Sequence, residues 1–85
     1  PAYGRQTGFI AVHVYKDANP NPYFERVESI MRDFEGRPHW GKIHTLTCSD
    51  LAKSYPKWER FLQIRTALDP DGHFTNAYLE RVLGY

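Results

Sequence analysis

The run Gly8 to Tyr15, Gly-Phe-Ile-Ala-Val-His-Val-Tyr, constrains the fold more than any other segment, because its apolar residues occupy both alternating faces. Phe9, Ala11, His13 and Tyr15 fall on one face and Ile10, Val12 and Val14 on the other, the period-two pattern of a strand covered on both sides. Such a strand is stable only in a sheet of three or more strands or beneath a covering layer. The chain offers just one further β-branched run, Ile43 to Thr47, as a short strand or extended segment. The expected fold class is therefore α+β, one or two strands with three helices, and the missing strands are expected in a partner or in a removed N-terminal part.

The helices announce themselves through turn chemistry and periodicity. Asn19-Pro20-Asn21-Pro22 is a turn in which Asn21 is placed to cap a helix and Pro22 suits its first position. The helix is expected over Tyr23 to Glu35, with Phe24, Val27, Ile30, Met31 and Phe34 on one face and Gly36 as its C-terminal cap. Ser49 or Asp50 is suited to cap a short helical turn reaching Ser54. Pro56 to Leu68 reads as a second amphipathic helix, with Trp58, Phe61, Leu62 and Leu68 on a stripe that also holds Arg65. Because an unpaired buried charge costs several kcal/mol, Arg65 is expected to pair with a carboxylate. Asp69-Pro70-Asp71-Gly72 stops this helix, Asn76 caps a last one through Leu83, and Gly84 closes it.

Length matters here because a chain of 85 residues is one small domain or a piece of a larger one. At this size folding buries only about 60 to 65% of the unfolded surface, which leaves a lone core marginal. A single cysteine, Cys48, excludes an intrachain disulfide, whereas an aromatic content of 15% supplies material to bury against another body. Eleven Lys and Arg against ten Asp and Glu are spread along the chain, so nucleic acid and anionic membranes are not expected partners. No stretch is long and apolar enough for a membrane span. One free cysteine and no export signal point to a reducing cytoplasm.

The densest chemistry lies at Arg37-Pro38-His39-Trp40-Gly41-Lys42, where a guanidinium, an imidazole, an indole and an ammonium surround a glycine. An ammonium beside an indole can lose hydration and become useful for hydrogen-bonding an alcohol or stabilising a developing anion. The plainer reading is a surface loop anchored by Trp40, with Lys42 solvated. His13 has a similar choice between a core histidine satisfied by a carbonyl and a group facing a site. The four histidines show no zinc-type spacing, so no metal is expected. There is no Gly-rich phosphate loop and no nucleophile elbow, and Cys48 has no activating neighbour. On residues alone, a stand-alone helical interaction module remains open beside an enzymatic role.

The ordered set Arg37-Pro38-His39-Trp40-Gly41-Lys42, Leu51 to Tyr55-Pro56, Phe61, Arg65, Leu68-Asp69-Pro70, Gly72, Phe74, Asn76 and Tyr78-Leu79 resembles the C-terminal region of the D-arabinono-1,4-lactone oxidase family. That family includes L-gulonolactone oxidases and dehydrogenases and the alditol oxidases. The resemblance extends to the Gly8 to Tyr15 segment and the helix after it. It implies a two-domain flavoenzyme of the vanillyl-alcohol oxidase type, in which a hydride passes from a hydroxyl-bearing carbon of a sugar lactone or polyol to FAD.

Carried onto this sequence, the resemblance implies that Lys42 is catalytic and reaches substrate hydroxyls. It places His39 and Trp40 beside the flavin, and His13 and Tyr15 along the substrate pocket. It also implies that residues 1 to 85 are the C-terminal part of the substrate region. The FAD-binding domain, any flavin-linking residue and the upstream Glu and Arg expected to contact substrate are absent, so the chain by itself is expected to be inactive.

Overall fold

Helix boundaries in the computed structural model, which describes residues 2–19 and 21–84, fall where side-chain chemistry starts or stops a helix. The elements are α1 (Asn21–Asp33), α2 (Cys48–Ser54), α3 (Trp58–Leu68) and α4 (Ala77–Leu83). Asn76 caps α4 as expected, its Oδ1 accepting the Leu79 N–H at 2.9 Å. Gly84 ends α4 at φ 80°, a left-handed conformation that favours glycine, with its N–H donated to the Glu80 carbonyl. The start of α2 falls earlier than expected, its cap two residues before Ser49 and three before Asp50. Thr47 is the cap, and the carboxylate of Asp50, three residues on, accepts the Thr47 N–H at 2.9 Å.

The end of α1 departs from expectation in an informative way. Glu35, not Gly36, takes the left-handed conformation, at φ 55°. Its N–H bonds the Arg32 carbonyl at 3.1 Å, and that of Gly36 bonds the Met31 carbonyl at 2.7 Å, the paired bonds of a Schellman closure. Glycine is needed at 36 for room rather than for φ, since a Cβ there would stand 2.8 Å from the Met31 carbonyl oxygen. At the other end α1 begins at Asn21, whose N–H is donated to Asn19 Oδ1. Pro20 of the expected turn lies outside the described residues.

The α+β expectation is overturned: the described residues hold four helices and no strand, so the fold is all-α. Periodicity in Gly8 to Tyr15 correctly marks a segment with two apolar faces, but a strand exists only through ladder hydrogen bonds to a neighbour. No such neighbour is found among the described residues. Phe9, Ile10 and Tyr15 are 75, 72 and 91% exposed and Val12 and Val14 are half-buried, so neither face is fully covered. The run Ile43 to Thr47 also forms no ladder, although its alternation survives, with His44 and Leu46 buried and Ile43, Thr45 and Thr47 exposed.

The chain divides into two units, Pro1–His44 and Thr45–Tyr85. In the second, α2 packs on both α3 and α4. Leu51 and Val82 are fully buried, joined by Leu46, Trp58 and Leu83. Each such side chain contributes about 1.5 to 3 kcal/mol on burial. Tyr55, Trp58 and Phe61 stack in succession at centroid spacings of 6.1 and 6.0 Å. Cys48 lies against Gly84, where a Cβ would come within 2.9 Å of its Sγ.

Asp69 organises the link from α3 to α4. Its carboxylate accepts the N–H groups of His73 and Phe74, both at 2.8 Å, and Gly72 turns the chain at φ 68°. The Phe74 N–H is the largest influence holding the pKa of this carboxyl below its ordinary value; the His73 N–H and the charges of His73 and Arg65 act in the same direction, against desolvation. Arg65 donates Nη2 to the Phe74 carbonyl at 3.0 Å, so this guanidinium also serves the link.

The first unit is held differently. Arg5 donates Nη1 to the Glu35 carbonyl at 3.0 Å, and Arg37 donates Nη1 to the Tyr3 carbonyl at 2.6 Å. Two guanidinium bonds thus tie the Tyr3–Arg5 turn to the exit from α1. No residue of α1 is buried, and Ile30 and Phe34 are exposed. Among the described residues no helix is long and apolar enough to cross a membrane.

Candidate functional site

Four residues, His39-Trp40-Gly41-Lys42, fold into a turn closed twice by one histidine. The Lys42 N–H is donated to the His39 carbonyl at 3.0 Å. The Gly41 N–H is donated to the His39 ring nitrogen Nδ1, also at 3.0 Å. The imidazole lies so close over Gly41 that a Cβ would sit 3.2 Å from its Cε1 and 3.4 Å from Nδ1. Since Gly41 has no positive φ, this near approach is what glycine provides here.

The turn presents its polar ends outward. His39, Gly41 and Lys42 are exposed, and Trp40 is half-buried, in keeping with an indole that anchors the loop. The Lys42 ammonium forms no ion pair among the described residues. An exposed ammonium one residue beyond a glycine is a mobile hydrogen-bond donor, able to reach hydroxyl or carboxylate oxygens. Arg37, counted with this cluster in sequence, is drawn instead into the bond with Tyr3.

His13 and Tyr15 are exposed on the segment that precedes the Tyr15–Ala18 turn. Their side chains make no hydrogen bond or ring contact among the described residues, so neither is hydrogen-bonded to the 39–42 turn. His44, not singled out from sequence, is the buried histidine of the first unit. The signal was available in the alternation of residues 43 to 47, where every second side chain is inward. No group of three or more metal-ligating side chains occurs among the described residues.

Comparison with known proteins gives this geometry its context. Residues 1–82 match the family model of D-arabinono-1,4-lactone oxidase. The chain is 53% identical over 83 residues to an L-gulono-1,4-lactone dehydrogenase of Mycobacterium tuberculosis, covering 98% of this chain and 19% of that protein. It is 41% identical over 86 residues to the L-gulonolactone oxidase of Mus musculus, covering 96% of this chain and 20% of that one. An alditol oxidase of a Streptomyces species is 37% identical over 86 residues, covering 98% and 20%. No solved structure matches. The chain belongs to the D-arabinono-1,4-lactone oxidase family. It spans about a fifth of the length of these curated relatives.

Proposed function

We propose that this chain forms the C-terminal part of an FAD-dependent oxidoreductase that oxidises a hydroxyl-bearing carbon of L-gulono- or D-arabinono-1,4-lactone. The observation that carries the reading is the 53% identity to an L-gulono-1,4-lactone dehydrogenase across nearly the whole chain. Likeness to an alditol oxidase supports a second reading, in which an open-chain polyol such as xylitol occupies the same kind of site. Both substrates present vicinal hydroxyls, which suit an ammonium donor on a flexible stem.

The residues present are compatible with contact at a flavin edge and not with holding the whole cofactor. His39 and Lys42 are exposed donors, chemistry that matches the oxygen and nitrogen acceptors of a flavin ring or a sugar. A Gly-rich phosphate loop is missing from the sequence, so the diphosphate belongs to another part of the enzyme. When bound, the flavin supplies the hydride acceptor. Lys42 donates to the substrate hydroxyl oxygen and stabilises the negative charge that grows there as the hydroxyl proton passes to water. His39 and Trp40 line the cofactor side, and His13 or Tyr15 donates to a more distant hydroxyl. The apolar side chains exposed on Gly8 to Tyr15 and α1 are covered by the remainder of the enzyme.

The test is anaerobic mixing of the full-length, flavin-loaded polypeptide with each lactone and with xylitol, following the oxidised-flavin absorbance. The lactones are expected to bleach it faster than xylitol. A faster reaction with xylitol selects the polyol reading, and no bleaching by any of the three contradicts both.

A further inference from the structure

We infer that His39 is a positioning residue, whose ring acts as the acceptor that shapes the 39–42 turn and whose neutral form is thereby the Nε2–H tautomer, rather than a base that takes a proton from substrate. A backbone N–H can only donate, so the 3.0 Å bond from Gly41 requires a lone pair on Nδ1. In a neutral imidazole the proton then resides on Nε2. The same residue also accepts the Lys42 N–H through its carbonyl. Two consecutive N–H groups are thus captured by one histidine, which fixes the direction in which the Lys42 side chain leaves the backbone. Glycine at 41 lets the ring lie flat enough for this bond, with Cε1 within 3.2 Å of where a Cβ would be.

The arrangement is the one an Asn or Asp side chain makes when it bonds the backbone two residues on, with imidazole in place of the carboxamide. It has a chemical consequence. A ring whose Nδ1 lone pair is occupied and whose Nε2 carries hydrogen offers substrate or cofactor a donor only. An exposed histidine two residues from a glycine invites assignment as a general base, and the hydrogen-bond pattern assigns it the opposite polarity.

The part of this inference that concerns Lys42 rests on the function proposed above; the tautomer does not. Full-length polypeptide carrying 15N-labelled histidine gives the tautomer directly from two-bond proton–nitrogen correlations, with the His39 signal identified by its loss in His39→Asn. The expected pattern is a protonated Nε2 and an unprotonated Nδ1. A protonated Nδ1, or averaging between tautomers, would falsify the assignment.

Rates of flavin reduction complete the test. His39→Asn keeps an acceptor able to bond the Gly41 N–H, whereas His39→Gln keeps a distal N–H but places its oxygen too far along the side chain. Loss of a hydrogen bond worth about 0.5 to 1.5 kcal/mol corresponds to roughly two- to tenfold in rate. His39→Gln and His39→Ala are expected to fall by that factor, with His39→Asn retaining more of the rate than either. Rescue by Gln and not Asn, equal loss in all three, or no loss in any overturns the positioning role. FAD content and melting temperature of each variant separate misfolding from a kinetic effect. If no substrate bleaches the flavin, the proposed function fails while the tautomer measurement still decides its own question.

Discussion

The second unit, Thr45–Tyr85, buries Leu46, Leu51, Trp58, Val82 and Leu83, whereas in the first, Pro1–His44, only His44 is buried among the described residues. The contrast is not one of composition. Phe9, Ile10, Tyr15, Ile30, Phe34 and Ile43 of the first unit are as apolar as the core of the second, yet all are exposed. What differs is closure: three short helices turn back on one another within about forty residues, while no residue of α1 is buried. Every candidate site residue, His13, Tyr15, His39, Trp40 and Lys42, belongs to the unit without a core. A unit with its own core beside a site region without one is what a contribution to a larger active site would look like, although Leu68 and Phe74 of the second unit are exposed as well.

Core truncation should break this contrast most visibly. Leu51→Ala removes a fully buried side chain and is expected to destabilise the chain by about 2 to 5 kcal/mol. Phe34→Ala, at a position 79% exposed, is expected to stay within about 0.5 kcal/mol. Denaturant unfolding of both variants measures the difference. Equal losses would show that the first unit is packed in solution.

A smaller effect concerns the local signals that close the second unit. Asn76→Ala removes the acceptor for the Leu79 N–H and is expected to cost about 1 kcal/mol, read from the same unfolding curves. Asn76→Asp keeps an acceptor and is expected to retain most of the stability.

The smallest is a pH dependence. The folded Asp69 carboxyl lies below its ordinary value of 3.8, chiefly through the Phe74 N–H, so the folded state binds that proton more weakly than the unfolded chain does. Its stabilisation is therefore fully present above about pH 4 and is lost as pH falls through the lower folded value. Asp69→Asn is expected to flatten the decline in melting temperature below about pH 4. An unchanged slope would remove Asp69 as the organiser of the α3–α4 link.

Sequence reading succeeded where structure is encoded within a few residues. Asn76, Gly84 and the Asp69-Pro70-Asp71-Gly72 stop behave as their chemistry dictates, because a cap needs only its own helix. It misplaced the left-handed residue at the end of α1, since Glu35 and Gly36 are both compatible with a helix end and only the 2.8 Å approach to Met31 distinguishes them. It erred on Gly8 to Tyr15 for a deeper reason. Alternation reports which faces seek cover, but strand formation is a property of a pair, and no pairing strand is present among the described residues. In the site, the 39–42 motif was legible as a cluster of chemistry. The ring bond from Gly41 was not, because side-chain acceptors two residues apart are recognised for Asn and Asp and seldom sought for histidine.

The central claim, that the uncored unit contributes a working group to an active site, is tested most directly at Lys42 in the full-length enzyme. Lys42→Met keeps the length of the side chain and removes its charged donor. A charge-assisted hydrogen bond that strengthens as the substrate hydroxyl loses its proton is worth about 1.5 to 3 kcal/mol, roughly ten- to hundredfold in rate. Because the bond is made mainly in the transition state, kcat and kcat/KM are expected to fall together, with FAD content unchanged. A flavin-reduction rate within about twofold of the parent, the range of an ordinary surface substitution, would contradict the account.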